Sequence, residues 1–152
     1  MERLTQTAPI LLRLSERYGK FGGADEAERF EILRWLFWDN HKLTGYMATY
    51  RYSRAFTPSP DAAVLAYFKR RIDDYLSILD ARLRDRAFSI GDKPTIADIS
   101  MLAYLSFPKH EAGYDLPASH PSVAAWLSRL AALPGWQVPY DLLPGKRLRC
   151  YV

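Results

Sequence analysis

Gly91-Asp92-Lys93-Pro94-Thr95-Ile96-Ala97-Asp98 decides the fold of this chain. Thr95 and Asp98 stand at the spacing of a capping box, directly before an apolar run. In such a box the Thr side chain accepts from the amide of the acid, and the acid reaches back to the Thr amide. Asp is a shorter variant of the usual Glu or Gln. Pro94 keeps the residue before it out of helix, and Gly91 supplies a permissive turn. Ile96 and Ile99 mark the side that enters the core. The device contributes about 1–2 kcal/mol. Thr95 and Asp98 are therefore read as a structural helix start, not as catalytic groups.

Helix signals continue in both directions. Upstream, a first helix spans about 7–18, capped by Thr7 and stopped at Gly19; Pro9 fits only because it falls in the first turn. A second runs from 24–25 to about 52, its acids Asp25, Glu26 and Glu28 gathered at the start. Its expected core positions are Phe30, Leu33, Phe37, Leu43, Met47 and Tyr50, with a bend at Gly45. Pro58 and Pro60 break the chain, and Asp61 caps a third helix to about 86 with Leu65, Phe68, Ile72, Leu76, Leu79 and Leu83 inward. Downstream, Pro108 ends the helix that Thr95 starts. A polar loop over 109–120 leads to a helix over 121–133 and a short piece over 134–140. No stretch alternates with the period of a strand. The predicted fold class is all-α, a helical bundle around long antiparallel helices.

The 152 residues suit one core. The net charge of +4 reports mainly the tail 145–152, which holds Lys146, Arg147 and Arg149 and no acid. The remainder carries 18 Lys and Arg against 17 Asp and Glu, the 21 bases less those of the tail. Charge so mixed does not make a nucleic-acid surface, so no nucleic-acid partner is expected. No apolar run reaches the ~18 residues of a membrane span, so no membrane partner is expected either. Met1–Leu14 reads as neither a span nor a signal peptide. Cys150 is the only cysteine, which excludes an internal disulfide. The expected location is the cytoplasm.

The motif G-D-x-P-T-I-A-D-I-S resembles the N-capping motif of the core helix in the C-terminal domain of glutathione transferases. On its N-terminal side, Leu79-Asp80 with Leu83, and Phe88 with Gly91, resemble the family's preceding long helix and turn. On its C-terminal side, His120-Pro121, Trp126-Leu127, Leu130 and Leu133-Pro134-Gly135-Trp136 resemble the family's closing helices. Leu4 to Leu11, LTQTAPIL, resembles the last helix of the family's thioredoxin-like domain. The resemblance implies three parts: residues 1–23 as that last helix, 24–144 as the helical domain, and 145–152 as a basic tail. It also implies that the 152 residues are the C-terminal portion of a longer fold, whose thioredoxin-like part carries the catalytic Ser, Tyr or Cys. No catalytic residue is expected here, and no intrinsic cofactor; glutathione is the family's co-substrate.

By the same resemblance Gln6 and Thr7 correspond to the Gln–Ser pair that holds the γ-glutamyl end of glutathione. A helix N-terminus offers free amides and partial positive charge to a carboxylate; helix capping is the other reading of Thr7. By resemblance, the inner face of the second helix would line the pocket for an apolar electrophile, with His41, Tyr46 and Tyr50 as candidates and Tyr104 from the core helix. Core packing is the alternative for these aromatics. Asp39 and His41 are two apart and form no dyad. His110 and Glu111 read as a solvated loop pair. No His pair has ligand spacing, so no metal site is expected. The family's helical domain also forms part of a homodimer surface, and it serves as a non-catalytic binding or assembly module in larger systems.

Overall fold

The computed structural model describes residues 4–152, so Met1–Arg3 of the N-terminal segment lie outside the described residues. Among the described residues the elements are helical and no strand forms. They are α1 Thr7–Tyr18, α2 Glu26–Trp38, α3 Thr44–Phe56, α4 Ala62–Leu83 and α5 Ile96–Leu105, then α6 Lys109–Ala112, α7 Leu116–Ser119, α8 Pro121–Ala131 and α9 Pro139–Leu142. The all-α reading holds. The loop expected over 109–120 winds into two single turns, α6 and α7.

Helix α5 is the centre. Ile96, Ala97, Met101, Leu102 and Leu105 are buried along it, and α1, α2 and α3 pack around it. Helix α4 lies against α3 on one side and α8 on another, burying Ile72, Leu76, Leu79 and Leu83 as expected. Leu65 and Phe68 at its outer end are only half-buried.

Asp98 explains why the core helix starts where it does. Its side chain is fully buried, at 0% exposure. One oxygen accepts from the Thr95 amide at 2.8 Å and the Thr95 hydroxyl at 3.0 Å. The other accepts from the Ser89 amide at 2.8 Å and Trp126 Nε1 at 2.9 Å. The carboxylate thus fixes the incoming loop, the helix start and α8 together. A buried carboxylate persists only when its lone pairs are satisfied in this way. Phe21, at φ 60°, adds a carbonyl that accepts the Ile96 amide at 2.9 Å.

The second expected helix is two helices. A π-helical turn, Asp39–Leu43, separates α2 from α3, so the irregularity precedes Gly45. Its consequence is a rotated face. In α2 the buried residues are Ile32, Trp35 and Leu36; in α3 they are Met47, Tyr50 and Ala55. Phe30, Leu33 and Phe37, expected in the core, are 72%, 36% and 74% exposed. Two apolar stripes run along α2, both at helical spacing, and one helix face can meet only one core. The stripe with Trp35 faces inward, and its ring meets Trp38 edge-on at 5.1 Å.

Candidate functional site

Helix α1 begins at Thr7, not after it. Gln6 occupies the N-cap position at φ 71°, ψ 137°, and its side chain makes no capping hydrogen bond. Thr7 is therefore the first helical residue, which corrects its expected capping role. The Gln6 carbonyl accepts from the Ile10 amide at 3.2 Å, and this bond draws the helix start back by one residue. Gln6 and Thr7 are both exposed. Positive φ is uncommon for a residue with a side chain and marks local strain. Among the described residues the amides of Thr7 and Ala8 have no acceptor at this helix start; Pro9 carries none, and that of Ile10 is already bonded. Its other end is well closed: Gly19 adopts φ 60° and its amide donates to the Ser15 carbonyl.

The aromatic candidates do not converge, and no ring contact joins any two of them among the described residues. His41 is exposed on the π turn. Tyr46 meets Tyr67, Phe68 and Tyr75 of α4 at 5.5–6.3 Å between ring centroids. Tyr67 is held below the ordinary tyrosine pKa, chiefly by its hydrogen bond with Tyr46 and then by Arg71. Tyr50 is buried and meets Tyr114 edge-on at 6.0 Å. Tyr104 lies 5.8 Å from Phe107, just past the end of α5.

Phe107 leads to a cluster that the sequence reading missed. The Arg51 guanidinium lies 3.6 Å from the centre of the Phe107 ring. Arg51 Nε donates to Glu111 at 3.0 Å, and its Nη2 is bonded to both Glu111 and Tyr140. The Tyr140 hydroxyl donates to the Glu111 carboxylate at 2.6–2.7 Å. Glu111 is only 3% exposed, which corrects the solvated reading; His110 beside it is exposed. Burial first, and then the bond to Glu111, raises the Tyr140 phenol above its ordinary pKa. The Arg147 guanidinium sits 4.1 Å from the centre of the Tyr140 ring. Farther along, the Tyr151 amide donates to the Ala55 carbonyl at 2.8 Å and fastens the tail to the end of α3. Between tail and helices lies a cavity of about 330 Å³.

The signal for this cluster was weak because its members are far apart in sequence. Glu111 and Tyr140 lie 60 and 89 positions from Arg51, and nothing local ties them. Two other cavities lie elsewhere in the fold. One of about 390 Å³ includes Met47, Leu105 and Leu127, and one of about 710 Å³ between α1 and α2 includes Leu12, Phe21 and Leu33. Among the described residues, no group of His, Cys, Asp and Glu could hold a metal ion. Among the described residues Cys150 Sγ bonds only the Val152 carbonyl, at 3.5 Å. No described helix is long and apolar enough to cross a membrane.

Comparison with known proteins gives this arrangement a family. The family "Glutathione S-transferase, C-terminal domain" matches residues 41–134. Glutathione S-transferase theta-2 of Mus musculus is 29% identical over 140 residues, which cover 87% of this chain and 57% of that protein. The disulfide-bond oxidoreductase YghU of Escherichia coli is 29% identical over 99 residues, 65% of this chain and 34% of that one. The chain spans 57% and 34% of the lengths of these two curated relatives. A glutathione S-transferase structure from Xanthobacter autotrophicus superposes with a TM-score of 0.79 at 30% identity, over 92% of this chain and 69% of that one. The fold recurs in glutathione transferase YghU of Streptococcus pneumoniae, solved in complex with glutathione, at TM-score 0.79 and 24% identity, over 88% of this chain and 53% of that one. With this match across its core helices and an all-helical fold to carry it, the chain belongs to the glutathione S-transferase C-terminal domain family.

Proposed function

We propose that this chain shapes the electrophile side of a glutathione transferase site and does not itself activate the glutathione thiol. Residues 1–23 are read as the last helix of a thioredoxin-like unit, 24–144 as the helical domain, and 145–152 as its tail. The observation that carries the reading is the start of α1, where Gln6 and Thr7 stand exposed and the Gln6 side chain makes no capping bond. Open amides and the helix dipole there suit the γ-glutamyl carboxylate of glutathione. Tyr104, beside Phe107, is assigned to the wall that meets the electrophile. Tyr46 and Tyr50 are assigned to packing, and His41 to the exposed turn. Nothing among the described residues provides a group poised to stabilise a thiolate; that chemistry belongs to a thioredoxin-like domain. The single cysteine supports a reducing compartment, the cytoplasm.

The test is an amide-resolved NMR titration of the chain with S-(2,4-dinitrophenyl)glutathione. We expect shifts concentrated at Gln6–Ala8 and at Tyr104 and Phe107. Shifts scattered over other surfaces, or none at millimolar conjugate, would overturn the reading.

A second reading, homodimerisation or assembly without catalysis, rests on its own observation. Phe30 and Phe37 stand largely exposed along one side of α2. Exposed apolar stripes of this kind mark contact surfaces.

A further inference from the structure

Four rings crowd one flank of the α3–α4 pair. Tyr46 of α3 lies 6.3 Å from Tyr67, 5.8 Å from Phe68 and 5.5 Å from Tyr75 of α4, between ring centroids. Tyr67 meets Phe68 at 5.7 Å. Cations stand around these rings. Arg71 is four positions after Tyr67, on the same face of α4, with its guanidinium 5.7 Å from the centre of the Tyr67 ring. Arg70 adds its charge from the next position, and Lys42 of the π turn lies 5.7 Å from the centre of the Tyr75 ring. The hydrogen bonds of the cluster run one way. Tyr46 and Arg71 both donate to the Tyr67 oxygen, which raises the Tyr46 phenol above its ordinary pKa and holds that of Tyr67 below it. Tyr67 is 42% exposed and Arg71 is exposed beside it, while Tyr46 is half-buried. The oxygen that the cluster favours as phenolate is thus the one that solvent reaches.

We propose that Tyr67 is a modification site, a nucleophilic phenol that takes a small acyl group from an activated acyl donor. Its oxygen attacks the donor carbonyl carbon, and the bond from that carbon to the leaving group breaks. The phenol proton passes through water to the leaving group, and an aryl ester remains on Tyr67. Arg71 and Tyr46 are positioning residues: they hold charge on the attacking oxygen and do not touch the donor. A phenol activated in this way outruns an ordinary phenol of equal access. Exposure alone ranks the tyrosines differently, since Tyr18 and Tyr52 are 62% and 59% exposed. A guanidinium also lies 5.6 Å from the Tyr18 ring, so a nearby cation does not by itself single out Tyr67. The pair of donors on its oxygen does. This inference is independent of the transferase reading, which uses neither Tyr67 nor Arg71.

The full chain, treated with limiting N-acetylimidazole near neutral pH and digested, gives the rate at each tyrosine by mass spectrometry. Hydroxylamine removes the acetyl group from tyrosine esters and leaves lysine amides, which separates the two products. Tyr67 is expected to be acetylated at least about threefold faster than Tyr18 or Tyr52. Taking the ratio within one chain cancels decay of the reagent. The ratio is expected to fall as pH rises past the ordinary phenol value of about 10, where every exposed tyrosine is ionised. In Tyr46→Phe, which keeps the ring, and in Arg71→Met, at an exposed position, the ratio is expected to drop toward one. Faster reaction at Tyr18 or Tyr52 in the parent overturns the proposal. So does a Tyr67 preference that survives in both variants, or one that stays constant across the pH range.

Discussion

Asp98 shows how much a single residue can hide. Its helix-start role was legible, because Thr95 lies three positions away. Its bonds to the Ser89 amide and Trp126 Nε1 were not, since one donor is in a loop and the other is 28 positions on. Asp98→Ala strands four buried donors, counting the Thr95 amide and hydroxyl. We expect a loss of about 3–5 kcal/mol in urea unfolding, against about 1–2 kcal/mol for Trp126→Phe at the hydrogen bond itself. Asp39 behaves differently. It is buried on the π turn, and burial holds its carboxyl above the ordinary range despite bonds from Ser100 at 2.5 Å and Thr44 at 2.7 Å. The folded chain therefore keeps its proton where the unfolded chain has released it. Stability from this group is fully present below the unfolded pKa of about 4 and is lost as pH rises through the folded value. Asp39→Asn cannot ionise and still bonds both hydroxyls. Its melting temperature is expected to exceed the parent's at neutral pH and to match it near pH 4, as calorimetry at the two pH values would read.

The helices were legible as elements because their punctuation is local. Gly19 stops α1, Asp61 caps α4 through the amides of Ala63 and Val64, and Pro108 comes just after α5. What escaped is everything one element supplies to another. Helix α8 starts with Pro121, and its next amides, Ser122 and Val123, are taken by Asp80 of α4 at 2.8 and 3.0 Å. No spacing rule links positions 42 apart. Asp80→Ala is expected to cost about 1–2 kcal/mol, the range of a lost N-cap, and to lower hydrogen-exchange protection in α8 before α2. The π turn escaped for a related reason. Its bonds are local, but the choice between the two apolar stripes of α2 is made by α5 and α4. Periodicity identifies both stripes and cannot rank them.

At the scale of the whole molecule, the ordered series of motifs was enough to read the fold, since each segment carries its own helix signal. The candidate site was only half legible. Gln6 and Thr7 are adjacent, so the start of α1 could be found. Arg51, Glu111 and Tyr140 meet only after α3, α6 and α9 have packed. The exposed stripe on α2 gives the molecule a further property to test. Phe30→Ser/Phe37→Ser removes two rings that are 72% and 74% exposed, so thermal stability is expected to stay within about 0.5 kcal/mol of the parent. Light scattering at high concentration is expected to show the parent associating and the double variant monomeric. The function proposed above gives this chain the shaping of a pocket and not the activation of a thiol. The most direct measurement is conjugation of glutathione with 1-chloro-2,4-dinitrobenzene by the chain alone, monitored by absorbance over a range of chain concentrations. The account predicts a rate equal to the uncatalysed background at every concentration; saturable turnover that rises in proportion to the chain would contradict it.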